Sequence, residues 1–269
     1  MNLQQRNNVR ILGDGPATLF LVHGFGCDQN MWRLLAPALA EDYRVVLMDL
    51  TGSGLSYAPA YHADRYSTLH GYASDVVAVI EEFAEGPVVL VGHSVSAMIG
   101  VLVERMSPGI VSAHVMVGPS ACYLNDEDYH GGFSRSDIDE LLATLESNFL
   151  GWSSQMAPLI MGAPDQPELS DELVSSFCRT DPDIAAQFAR VTFLSDHRED
   201  VSHIRSPTLI LQSTDDIIAP LSAGQFVASV LPGSVLSMID NVGHCPHLSA
   251  PEACLAAIQH FLRETALAA

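Results

Sequence analysis

Along the chain, apolar and polar positions alternate between two periods. Short, almost continuously apolar runs predict strands at 18–23 (TLFLVH), 44–49 (RVVLMD), 87–92 (PVVLVG), 114–118 (HVMVG), 208–213 (TLILQS) and 235–240 (VLSMID). Runs without polar alternation suit strands covered on both faces, as in a mostly parallel sheet. Helical periods lie between them. In STLHGYASDVVAVIEEFAEG, Leu69, Tyr72, Val76, Val79, Ile80 and Phe83 share one face. Ser67 or Thr68 can cap its start, and Gly86-Pro87 ends the pattern. Strand and helix in turn predict a doubly wound α/β sheet.

The alternation breaks once. From about 120 to 203 the pattern predicts only helices, near 136–148, 150–161, 170–179 and 183–194. Asp181-Pro182 opens the last of them as cap and first-turn residue. The expected organisation is a core of 1–119 and 204–269 with a helical lid inserted at 120–203. In open α/β sheets the ligand crevice lies outside the carboxyl ends of the strands, and a lid there shields chemistry from water.

One junction carries chemistry. VVLVGHSVSAMIG (88–100) runs from a buried strand through a tight turn into a helix, with Ser94 at the turn. It nearly fits the nucleophile elbow G-x-S-x-G, Ser96 replacing the last glycine with another small residue. Ser94 alone reads as readily as a helix N-cap, so partners decide. A serine hydroxyl needs a base, and the base needs an acid to orient it. TLILQSTDDIIAP ends a strand in Asp215-Asp216, and SMIDNVGHCPHLSAP ends another with His244 in a Gly-His turn, three residues before His247. The expected roles are Ser94 as nucleophile, His244 as general base and acid, and Asp216 as the group fixing its tautomer. LVHGFGCDQNMW (21–32) also follows a strand, and its glycines let backbone N–H groups approach a ligand. The N–H groups of Phe25 and Val95 are the expected oxyanion donors. DLTGSGLSYAP (49–59) lacks GxGxxG and the P-loop lysine, and reads as a turn.

Composition narrows the rest. The 269 residues are 48% hydrophobic, enough for a sizeable core. Acidic residues number 32 against 12 basic, all arginine, for a net charge of −20. That balance argues against nucleic acid, and the missing lysine excludes Schiff-base and P-loop chemistry. No apolar run approaches the ~18 residues of a membrane span. The polar start MNLQQRNNVR has no signal-peptide pattern, so a cytoplasmic location is expected. Five cysteines without a CxxC pair read as buried thiols in a reducing compartment. With no HExxH or metal-spaced cluster, neither metal nor cofactor is expected.

With these residues in hand, the chain resembles an α/β-hydrolase over nearly its whole length. The likeness rests on HGFGCDQNMW, GSGLS, RYSTLHGYASDV, VGHSVSAMIG, MVGPSACYLND, GGF, SDHRED, DDIIAP and GHCPHLSAP. Within that family it is similar to the RsbQ-like branch, which joins a bacterial stress-response regulator to the plant strigolactone and karrikin receptors. GHSVSA is closer to the plant receptors, PSACYLND and DDIIAP to the bacterial regulator. The resemblance implies a triad of Ser94, Asp216 and His244 beneath a V-shaped lid of four helices. It also implies an apolar pocket lined by Phe25, Tyr123, Trp152, Met156 and Phe193. The activity implied is cleavage of a small, largely apolar ester or lactone through an acyl-enzyme. The alternative is a signalling regulator that uses the same pocket and engages a PAS-domain phosphatase.

Overall fold

In a computed structural model whose described residues are 1–265, seven strands form one sheet. They are β1 (Arg10–Leu12), β2 (Thr18–Val22), β3 (Arg44–Met48), β4 (Val88–His93), β5 (Ala113–Val117), β6 (Thr208–Asp215) and β7 (Val235–Val242), in the spatial order β1-β3-β2-β4-β5-β6-β7. Only β1 runs antiparallel, against β3. It escapes the hydrophobic pattern because it is three residues long and half exposed. Alternate residues of the central strands feed two cores. Leu19, Leu21, Val89, Val91, Val115 and Val117 pack on one face; Phe20, Val22, Leu90, Met116 and Ile210 pack on the other. Burial on both faces explains why these strands lack polar alternation.

The principal helices are α1 (Leu69–Phe83), α2 (Val95–Met106), the inserted α3 (Arg135–Ser147), α4 (Phe149–Met161), α5 (Pro167–Arg179) and α6 (Pro182–Leu194), then α7 (Leu221–Val230) and α8 (Pro251–Glu264). The start of α1 differs from expectation. Thr68 occupies the cap position without a side-chain capping bond, and the Ser67 hydroxyl donates to the Asp64 carbonyl instead. Asp181 does cap α6, accepting from the N–H groups of Asp183 and Ile184. The four inserted helices all lie between β5 and β6, where α4 packs on α5 and α3 on α6.

Register positions the site. Val22 pairs with Gly92, and His93 with Val117, so β2, β4 and β5 end within one residue of each other. His23 follows β2 at the level of His93, and Ser94 and Gly118 emerge just beyond it. A register shift between Ser213 and Asp215 carries the ends of β6 and β7 past the apolar core. Asp216 and His244 follow those ends.

Candidate active site

Ser94 sits at φ +56°, ψ −123°, one of two non-glycine residues at positive φ among those described. Holding an L-residue there costs energy, and functional sites are where such strain collects. The turn is possible because Gly92 lets β4 and α2 approach. A methyl group on it would lie 2.4 Å from the Ser96 carbonyl oxygen. Ser96 itself is fully buried, and its hydroxyl donates to the His23 carbonyl at 2.5 Å. The departure from glycine thus ties α2 to the end of β2.

The structure brings Ser94, His244 and Asp216 together across 150 residues of chain. Ser94 Oγ lies 2.7 Å from His244 Nε2, and His244 Nδ1 lies 2.7 Å from Asp216 Oδ2. A carboxylate only accepts, so Nδ1 carries the proton and Nε2 is left to accept from the serine. Asp216 Oδ1 accepts from the N–H groups of Ile218 (2.8 Å) and Ala219 (3.0 Å), which fixes the carboxylate plane. Its neighbour Asp215 points to solvent. The Asp215 carbonyl accepts from Gly243 N–H at 2.7 Å, linking the two loops.

The HGFG loop is pinned by its histidine. His23 Nε2 accepts from Leu50 N–H (3.0 Å), so Nδ1 is protonated and donates to the Gly24 carbonyl (2.8 Å). A methyl on Gly24 would stand 2.6 Å from His93 Nδ1 and 3.2 Å from Ser94 Cβ, so only glycine lets this loop lie against the elbow. The N–H groups of Phe25 and Val95 have no protein acceptor among the described residues. The glycine-rich turn at 49–59 wraps an internal carboxylate. Asp49 accepts from Gln29 N–H and Leu55 N–H and from Asn8 Nδ2.

Phe25, Tyr123, Trp152, Met156 and Phe193 all line one cavity beside Ser94 and His244. It encloses about 30 Å³, room for about two waters. Two neighbours of the site, and one contact of a residue already named, were not foreseen. Phe177 and Phe188 flank Phe25, with ring centroids 5.8 Å and 5.7 Å away. The face Leu169, Leu173, Phe177 repeats every four residues on α5 and could have flagged the first of them. The contact is that of the expected pocket residue Tyr123, whose hydroxyl lies 3.3 Å from Ser94 Oγ. Burial raises this phenol far above its ordinary pKa, so it stays protonated as a hydrogen-bond donor.

Residues 19–257 match the sequence pattern described as the alpha/beta hydrolase family. The chain belongs to the α/β-hydrolase family. It is 40% identical over 251 residues to the "Karrikin insensitive 2 receptor CA" of Petunia hybrida, covering 93% of each chain. It is 37% identical to the "Strigolactone esterase D14" of Arabidopsis thaliana, covering 97% of each. Among solved structures, a hydrolase from Oleispira antarctica superposes with a TM-score of 0.93 at 40% identity, over 97% of this chain and 96% of that one. The α/β-hydrolase relatives thus include both esterases and receptors. No helix among the described residues is long and apolar enough to cross a membrane.

A buried imidazole cluster lies behind the site. His247 is fully buried, 4.7 Å from the Trp32 ring and 4.6 Å from the His93 ring. Burial first, then His244 and Arg33, lower its pKa from 6.5 to about 3. Above pH 6.5 both folded and unfolded chains hold it neutral, and its contribution to stability is complete. Below 6.5 the unfolded chain binds a proton that the folded chain refuses. Stability then falls with pH, increasingly below 6.5 and down to about pH 3. Melting temperature should drop between pH 7.5 and 5.0, and His247→Phe should lessen that drop. An equal drop in both proteins would contradict this.

Proposed function

We propose that the protein is a serine hydrolase cleaving small, largely apolar esters or lactones through an acyl-enzyme. The observation that carries this reading is the unbroken relay from Asp216 through His244 to Ser94, both contacts at 2.7 Å. Ser94 Oγ attacks the carbonyl carbon while its proton passes to His244 Nε2. The charge that develops on the carbonyl oxygen is met by the N–H groups of Phe25 and Val95. His244 then gives its proton to the leaving alkoxide. In the second half a water loses a proton to His244 and attacks the acyl-serine, releasing the acid and restoring the serine.

The insert 120–203 serves as a lid over the core 1–119 and 204–269. Asp28–Arg179 (2.5 Å) and Arg33–Glu172 (2.7 Å) fasten α5 to the core beside the HGFG loop. A cavity this small and this aromatic favours short acyl groups, which enter by displacing side chains or lifting the lid. The five free cysteines agree with a reducing cytoplasm.

Activity on p-nitrophenyl acetate or butyrate should exceed that on the palmitate ester by about tenfold or more. Faster turnover of emulsified long-chain ester would contradict the closed-pocket reading. A second reading, a ligand receptor that acts through a protein partner, draws on the 40% identity to a protein named as a receptor; a PAS-domain phosphatase as that partner rests on the resemblance to the bacterial regulator alone. Ester turnover much faster than one per minute favours the enzyme. Slower turnover with tight ligand retention favours the receptor.

A further inference from the structure

His93 stands next to Ser94, yet no step of the proposed reaction uses it. Its ring is buried and touches three parts of the site. Nε2 lies 2.9 Å from the backbone oxygen of His244. A carbonyl only accepts, so Nε2 carries the proton and Nδ1 is bare. Nδ1 lies against Gly24, where no side chain fits. The ring itself packs 4.9 Å from that of His244 and 4.6 Å from that of His247.

The backbone of His244 needs such a hold. Gly243 before it adopts φ +104°, a conformation that residues with side chains rarely adopt, and a methyl group there would run into the Met161 carbonyl of α4. From the insert, the Ile160 carbonyl accepts the His244 N–H at 2.7 Å. From the core, His93 donates to the His244 carbonyl. The residue is thus clamped on both sides, and only the His93 side belongs to the same turn as Ser94. We propose that His93 is a positioning residue whose Nε2–H bond to the His244 carbonyl sets where the His244 imidazole meets Ser94. Burial, followed by the neighbouring His247 and His244, holds His93 well below the ordinary imidazole pKa and so keeps it in this neutral form.

The kinetic consequence rests on the serine-hydrolase reading; the geometric one does not. A displacement of about 1 Å at a reacting pair can cost ~10²-fold in rate. His93→Gln, His93→Asn and His93→Leu separate a positioning role from simple packing. The glutamine amide can reach the place of Nε2, the asparagine amide ends near the place of Nδ1, and leucine fills space without a donor.

With p-nitrophenyl acetate, kcat should fall ~10²-fold in the Asn and Leu variants, with KM changed by less than about threefold. The Gln variant should stay within about tenfold of wild type. A second readout needs no turnover: the downfield proton resonance of His244 Nδ1–H against Asp216. It should persist in wild type and Gln, and shift or broaden in Asn and Leu, all checked as folded by thermal melting. A Gln variant no better than Leu, or an unchanged resonance in all three, overturns the proposal. If the wild type cleaves no ester, the hydrolase reading fails while the resonance still decides the role of His93.

Discussion

Ser94→Ala is expected to lower kcat for p-nitrophenyl acetate by ~10⁴-fold or more while leaving the fold intact. The substitution removes one oxygen from a buried side chain and keeps Cβ where it packs near Gly24. Lost with that oxygen are the contacts to His244 Nε2 and to the Tyr123 hydroxyl. Neither is a large part of stability, since a typical hydrogen bond contributes ~1 kcal/mol net. The remaining N–H groups at Phe25 and Val95 can still polarise a carbonyl, so a small residual rate is consistent with the scheme. A variant that keeps a substantial fraction of wild-type kcat would remove Ser94 from the reaction. The Tyr123 phenol, the other hydroxyl facing that contact, would then be the first alternative to examine.

Two adjacent carboxylates provide the second large contrast. Asp216→Asn should cost ~10⁴-fold in kcat, because an amide can hold His244 in the wrong tautomer. Asp216 Oδ2 faces Nδ1 at 2.7 Å, while Oδ1 is occupied by two backbone N–H groups. The asparagine that best replaces it must choose. If its oxygen keeps the N–H groups of Ile218 and Ala219, its NH₂ points at Nδ1 and demands an acceptor there. Nε2 is then protonated and cannot take the serine proton. Asp215→Asn changes an exposed side chain, and what Asp215 offers the site is its backbone carbonyl, which the substitution keeps. Its kcat should move by no more than a few-fold, roughly 1 kcal/mol in barrier. A larger loss at Asp215 than at Asp216 would reverse the assignment.

The parts of this molecule legible in the sequence are those where one residue type must satisfy a strict local condition. Five strands, β2 to β6, are largely apolar because both faces of the sheet are covered there, and the four inserted helices follow from periodicity and from Asp181-Pro182; β7, at the edge, is mostly exposed. The elbow shows as a strand–turn–helix junction with small residues on either side of Ser94. What stayed hidden depends on contacts between distant segments. β1 is too short and too exposed to leave a pattern, and β6 and β7 extend beyond their apolar runs into polar residues around a register shift. The bonds from Ser96 to His23 and from His93 to His244 join residues 73 and 151 positions apart. No local period encodes them. Likewise the choice between Asp215 and Asp216 is fixed by which side chain turns inward at the end of β6. The strand pattern ends before that point, and family likeness supplied the assignment.

The most direct test of Ser94 as an activated nucleophile is covalent. A fluorophosphonate reacts with a serine only where a base takes up its proton and N–H donors meet the developing charge, so it reads the whole constellation at once. The intact protein should gain a single adduct, and peptide mass spectrometry should locate it on Ser94. The adduct should be absent from Ser94→Ala and strongly slowed in Asp216→Asn. Labelling of a different serine, or no labelling of a folded wild-type chain, would contradict the assignment.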